Sequence, residues 1–139
     1  MLLRGPQRRF ELNLVPGAGR ENWCRIDVRV ETPEARWTAA DVCLKNDEVS
    51  CLAGWLEAAA VDQIHEREID FLEPELSFAF PENNASLRVC FRDNLRPPWL
   101  KEEVDGRFFQ DYPVTPADMQ RAAASQRAQL LQGSKRRGG

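Results

Sequence analysis

The sequence has a single histidine, His65, and lacks the short motifs that mark catalytic or metal sites. Its four cysteines show neither a CxxC pair nor the spacing of a zinc site. No serine lies in a nucleophile-elbow sequence, and residues 17–19 lack the further glycine and following helix of a phosphate-binding loop. We therefore expect a protein that is not an enzyme and that binds no metal and no cofactor.

Long apolar runs are also missing. The apolar run at residues 1–3 is far shorter than the apolar region of a signal peptide, and no stretch approaches the length of a membrane span. We expect a cytoplasmic protein with no membrane partner.

Negative charge is concentrated in the body of the chain. All 22 acidic side chains lie between Glu11 and Asp118, whereas only 11 of the 19 basic ones do, which gives this part a net charge of −11. Such a body repels nucleic acid and attracts a basic protein, with a strength that falls as salt rises. The basic residues 135–137 are too few to reverse that preference.

A chain of 139 residues is long enough for one domain with a full core. We expect a flexible N-terminus at residues 1–8, a single α+β domain at 9–132 and a disordered basic tail at 133–139.

Alternating apolar and polar residues predict three strands in the first third of the chain, at residues 9–15, 24–31 and 36–44. From Asn46 the apolar residues recur at helical spacing, and Asn46 or Asp47 is placed to cap that helix. The pattern predicts a helix inserted after the third strand.

Further strands are predicted at residues 67–71, 76–80, 86–92 and 106–112. The second and third of these form an antiparallel hairpin with an aromatic inner face, and the two prolines of residues 96–99 force a loop. Thr115, Pro116 and Asp118 begin a C-terminal helix that ends near Gly133. The expected fold is an antiparallel sheet of about seven strands, curled or folded into a sandwich, with these two helices.

Three carboxylates, Glu66, Glu68 and Asp70, occupy every second position of a predicted strand and therefore share one face. The bland interpretation is a soluble face that discourages edge-to-edge aggregation. The functional interpretation is an acidic stripe that a cationic partner neutralises. The nearby pair Glu73 and Glu75 carries no comparable signal, because paired carboxylates are abundant in this sequence.

Trp99 follows two prolines and precedes a second acidic group, Glu102, Glu103 and Asp105. A tryptophan in this position can be a core or half-buried residue, and this is the interpretation we favour. Alternatively, it is an exposed interface contact with the acidic group around it. The alternative makes these four residues candidates for partner binding.

The order of tracts CRIDVRVE, a helix carrying Trp55-Leu56, FLEPELSF, RPPWL and a closing TPADM helix resembles the WapI family of bacterial immunity proteins, over roughly residues 10–131. The resemblance implies a protein that binds the toxic C-terminal domain of a cognate cell-surface toxin, for example a nuclease such as a tRNase, and blocks it without chemistry. The alternatives are a general protein-binding or scaffold module, for example a homodimer, and a hydrolase of unforeseen type.

Overall fold

The computed structural model describes residues 1–17, 21–100 and 108–138. Its first half is a four-stranded antiparallel sheet in which the strands lie in chain order. The strands are β1 (Leu2–Gly5), β2 (Arg8–Pro16), β3 (Trp23–Glu31) and β4 (Arg36–Lys45). The alternation that predicted β2 and β3 is confirmed, because one face of each strand is buried and the other faces solvent. In β4 the alternation is interrupted by a bulge at Cys43, where Cys43 and Leu44 are both buried.

The first helix, α1 (Asn46–Ala60), follows β4 directly. Neither Asn46 nor Asp47 is its N-cap residue, which is Lys45, and the Glu48 carboxylate accepts a hydrogen bond from the Lys45 N–H at 2.9 Å. Asn46 has another role, since its Oδ1 accepts from the Cys24 Sγ at 3.0 Å. The apolar stripe of the helix is buried as predicted.

A second four-stranded antiparallel sheet contains β5 (Glu68–Ile69), β6 (Leu76–Ala79), β7 (Ser86–Phe91) and β8 (Phe108–Pro113), again in chain order. The predicted β6–β7 hairpin is confirmed, with Phe78 paired to Val89 and both side chains buried. Two short 3-10 turns, Asp93–Leu95 and Pro98–Leu100, occupy the double-proline tract, which forms no strand, as predicted.

The two sheets pack face to face around Phe10 of β2. Its ring centroid lies 5.8 Å from that of Phe91, 6.2 Å from Tyr112 and 6.3 Å from Phe78. These partners belong to three strands of the second sheet, so one aromatic side chain joins most of the core. Burial of aromatic groups at this density is a large source of stability.

The second helix, α2 (Pro116–Gly138), packs against α1 and β2. Thr115 and Asp118 form the predicted capping box, with the Thr115 N–H donating to Asp118 Oδ2 at 2.9 Å and the Asp118 N–H to Thr115 Oγ1 at 3.1 Å. The helix continues past Gly133, where we expected it to end, while Gly139 lies outside the described residues. No described helix has both the length and the apolar character that crossing a bilayer requires.

The α+β class is confirmed, but the single sheet of about seven strands is wrong, because the described residues form eight strands in two sheets. The helix follows the fourth strand and not the third, because residues 2–5, expected to be flexible, form the additional edge strand β1. The chain leaves the first sheet through α1, and β5 then pairs only with β6. The division of the chain into one domain with a basic tail stays a prediction.

Candidate functional site

Residues 66–73, which we call the acidic strap, run along α1 before the chain enters the second sheet. The Trp55 Nε1–H donates to the carbonyl oxygen of Glu66 at 2.8 Å, and the Leu72 N–H donates to Glu48 Oε2 at 2.8 Å. Trp55 in turn packs on Phe80, with the ring centroids 4.7 Å apart. The strap is thus held at both ends by residues two turns apart on one helix.

The three carboxylates of the predicted stripe all lie on the strap and are exposed. The strand that carries them is shorter than predicted, because only Glu68 and Ile69 pair with β6. The predicted alternation is still present: Ile69 and Phe71 are partly buried against the core, while Glu66, Glu68 and Asp70 face solvent.

No carboxylate of the strap forms an ion pair with a described residue. Arg67 lies among them, but its guanidinium donates to the Phe80 carbonyl at 2.9 Å and to Asn84 Oδ1 at 3.2 Å. Residues 41–82 together contain eleven acidic and two basic side chains. The strap is therefore the exposed part of a strongly negative segment, and it attracts cationic groups over a distance set by the salt concentration.

Trp99 is 54% exposed, so it does not fill a gap in the core, whereas the half-buried interpretation agrees with this partial exposure. Its ring meets Trp37 of β4 edge to face, with the centroids 5.4 Å apart, and Trp37 itself is buried. The other three residues proposed beside it, Glu102, Glu103 and Asp105, lie outside the described residues. Contact between Trp99 and a partner stays a prediction.

Another group of carboxylates, which the sequence did not reveal, lies around the buried thiol of Cys43. Burial raises the pKa of that thiol, and the carboxylates of Glu75 and Asp41 raise it further. The pKa of Glu75 is itself raised, first by burial and then by Asp41 and Glu73. Strand β4 has a bulge at Cys43, and a bulge leaves little trace in an alternating pattern. The protonated thiol is a poor nucleophile and metal ligand.

His65 is exposed, and no three described His, Cys, Asp or Glu side chains gather as metal ligands would. An open cleft between β1 and α2 contains two carboxylates, but Asp118 caps α2 and Glu11 pairs with Arg9 at 3.4 Å. A catalytic pair needs a nucleophile or acid beside a free base, and these groups have other partners.

Comparison with protein families matches residues 1–132 to the family described as "Immunity protein WapI-like family". The chain belongs to this family. The resemblance carried by the sequence tracts is therefore confirmed, and the family assignment supports an immunity function. Comparison with curated proteins and with solved structures gave no significant match.

The tracts that carry the resemblance to the WapI-like family mainly hold the fold together. In FLEPELSF, Phe71 meets Phe78 edge to face at 6.5 Å, and Leu76 is fully buried. In RPPWL, Pro97 is buried and Trp99 is a large apolar side chain that is exposed. Family membership is thus visible in core residues, whereas the described candidate contact residues, Glu66, Glu68, Asp70 and Trp99, are exposed.

Proposed function

We propose that this protein protects a bacterial cell by binding the C-terminal toxin domain of a cognate cell-surface toxin and covering its working surface. In this proposal the protein is not an enzyme, acts in the cytoplasm, and meets its partner as one protein surface against another. The toxin domain has a basic surface and is, for example, a nuclease such as a tRNase. Neither nucleic acid nor a membrane is a partner of the immunity protein itself.

The observation that carries this proposal is the set of unpaired carboxylates on the acidic strap in a member of an immunity family. Glu66, Glu68 and Asp70 are exposed and form no ion pair with a described residue. A nuclease domain needs a basic surface to bind phosphates. A negatively charged immunity protein that covers this basic surface blocks access of the nucleic acid substrate. The opposite charges also accelerate association of the immunity protein with the toxin domain.

Trp99 provides a second element of the proposed contact. Large aromatic side chains are common anchors in protein interfaces. They have few rotamers, so little side-chain entropy is lost when a partner binds them. The edge-to-face contact with Trp37 fixes its direction. We include Glu102, Glu103 and Asp105 in the same proposed contact because they follow Trp99 in the sequence.

Co-expression tests the proposal. The toxin domain encoded next to this chain is expressed in a bacterial host with and without the immunity protein, and growth is measured. An inactivated toxin domain then serves for binding measurements at increasing salt concentrations. We expect restored growth, a 1:1 complex and an association rate that falls as salt rises.

The acidic strap is tested by the triple variant Glu66→Lys, Glu68→Lys and Asp70→Lys. The matched control reverses three other exposed carboxylates, Glu21, Glu31 and Glu34, so the net charge of the two variants is equal. Loss of association by more than tenfold in the strap variant alone supports the proposal. An equal loss of association in both variants would mean that the strap acts only through the net charge of the protein. A wild-type protein that neither binds the toxin domain nor restores growth would contradict the proposed immunity function.

The alternative function, a scaffold module that forms a homodimer, is favoured by the outer edge of β4. The Thr32 N–H donates to the Ala35 carbonyl at the turn, so the alternating antiparallel pattern directs the N–H and C=O groups of Arg36, Thr38 and Ala40 away from β3. An edge that pairs with no described strand can add a strand from a second copy. Light scattering across a concentration series, with Thr38→Pro as the blocked edge, decides whether such a dimer exists.

A further inference from the structure

The outer face of the second sheet combines the acidic strap with an exposed aromatic anchor. The strand register places Glu68, Ala79, Arg88 and Asp111 in one row across the four strands. A neighbouring row contains Ser77, Cys90 and Phe109. The inward residues of the same strands belong to the core, so this face is directed away from the first sheet.

Phe109 is the apolar side chain that stands out on this face, with 47% of its surface exposed. The guanidinium carbon of Arg88 lies 4.0 Å from the Phe109 ring centroid. Arg88 is held in turn by Asp111, through hydrogen bonds of 2.8 Å from Nε to Oδ1 and 3.1 Å from the terminal nitrogen to Oδ2. A bidentate pair under a stacked ring fixes all three side chains before any partner arrives, which lowers the entropic cost of binding.

The acidic side of the face is formed by Glu68 and Asp70. Both carboxylates line a shallow hollow together with Ser77 and Arg92. The two negative charges and the one positive charge give this hollow a net negative charge. Three strand spacings separate Glu68 from Asp111 in the register, a width of about 14 Å. Strand β6 presents Ser77 and Ala79 between the acidic and aromatic ends, and these small side chains let a partner approach closely.

We propose that the toxin domain docks on this outer face of the second sheet, placing an apolar side chain on Phe109 and a lysine or arginine against Glu68 and Asp70. This inference rests on the function proposed above and makes it more specific. The partner is one protein surface on which an apolar residue lies about three strand spacings from a cationic one. The complementarity of charge at Glu68 and Asp70 and the fixed aromatic group at Phe109 identify that partner chemistry.

The test measures binding of the inactivated toxin domain by two variants of this face. Phe109→Ser removes the anchor, and Ser77→Arg adds a bulky cation to the small-residue floor while leaving Phe109 in place. The matched controls are Leu131→Ser, which removes another exposed apolar side chain, and Glu31→Arg, which adds positive charge on the first sheet. Thermal unfolding of every variant confirms that the fold is retained.

We expect both face variants to bind at least tenfold more weakly, the loss typical of an interface anchor, and both controls to stay within twofold of wild type. Wild-type binding that neither Phe109→Ser nor Ser77→Arg weakens would overturn this docking surface and leave the proposed function standing. Failure of the wild-type protein to bind the toxin domain would overturn both. A loss shared by the controls would also overturn the surface, because the effect would then be unspecific.

Discussion

Glu48 and Leu72 are joined by a hydrogen bond of 2.8 Å from the Leu72 N–H to Glu48 Oε2, which fixes one end of the acidic strap on α1. The other oxygen of the same carboxylate accepts from the Lys45 N–H at 2.9 Å and caps the helix. One side chain therefore begins α1 and positions the strap. The surface that we propose for partner binding depends on a residue that need not touch the partner.

Replacement of Glu48 by alanine is expected to lower the free energy of unfolding by about 1–2 kcal/mol, because both hydrogen bonds are lost. Glu48→Gln keeps one acceptor oxygen and should show an intermediate loss. Urea unfolding measures the stability, and hydrogen exchange at the Leu72 amide measures the release of the strap. Glu57→Ala is the control, since Glu57 forms only an exposed ion pair with Arg127. A Leu72 amide that exchanges at the same rate in Glu48→Ala and wild type would contradict this role.

Gln126 and Gln129 lie about one turn apart on α2. We expect replacement by methionine to change the free energy of unfolding in opposite directions at these two positions. Gln126 is fully buried, and neither of its amide atoms has a hydrogen-bond partner among the described residues. Gln129 Oε1 accepts from the Leu14 N–H at 2.6 Å. Gln126→Met should raise the free energy of unfolding by about 1–2 kcal/mol, whereas Gln129→Met should lower it by about 1 kcal/mol. Thermal unfolding distinguishes them, and a destabilised Gln126→Met would show that the amide has a partner.

The parts of the fold that local pattern determines could be predicted from the sequence. In β2 and β3 one face is buried and the other is exposed, so the alternation of apolar and polar residues locates both strands. Thr115 and Asp118, three residues apart, form the capping box that marks the start of α2. Strand β1 could not be predicted, because it is short and its place is set by pairing with β2. The cap of α1 was missed since Asn46 is engaged by Cys24 from another strand.

The candidate site divides in the same way. Exposure of Glu66, Glu68 and Asp70 follows from a local alternation and was predicted, although the hold of α1 on the strap was not. Phe109 follows another phenylalanine, Phe108, so the sequence gives no sign of which ring faces outward. Only the register with β7, which pairs Cys90 with Phe109, decides it. Glu75 was missed because Asp41 and Asp93 reach it through long-range packing.

The capping box of α2 predicts a loss of stability in acid. The hydrogen bond from the Thr115 N–H lowers the pKa of Asp118 below its ordinary value, with the Thr115 hydroxyl and Arg121 adding to the shift. A carboxyl whose pKa is lower in the folded protein adds stability above its unfolded pKa, near pH 4, and loses it as pH falls through the folded pKa. Asp118→Asn should cost about 1 kcal/mol at pH 7 and less at pH 3. Urea unfolding across this pH range measures both values.

The control for that measurement is Arg121→Ala, which removes the exposed ion pair with Asp118 and leaves the capping box in place. An exposed pair contributes little, so we expect a loss of at most about 0.5 kcal/mol. Equal losses in Arg121→Ala and Asp118→Asn would assign the stability to the ion pair and contradict the capping argument.

Glu75 predicts the opposite dependence on pH. Burial raises its pKa, its own backbone hydrogen bond opposes that shift, and the charges of Asp41, Glu73 and Asp93 raise the pKa further. The folded protein therefore binds more protons than the unfolded chain, and the free energy of unfolding falls as pH rises from the unfolded pKa, near 4.5, through the folded one. Glu75→Gln removes this cost and should stabilise the protein at pH 7 by about 0.5–1 kcal/mol.

The stabilisation by Glu75→Gln should shrink as pH falls toward 4, because wild-type Glu75 is then protonated as well. Glu82→Gln, at an exposed turn, is the matched control and should leave the stability unchanged. A Glu75→Gln variant that is less stable than wild type at pH 7 would mean that the charged carboxylate is held by an interaction stronger than its repulsion. Since Glu75 lies in the FLEPELSF tract, that result would mean that the tract stabilises the fold through this carboxylate as well as through its apolar side chains.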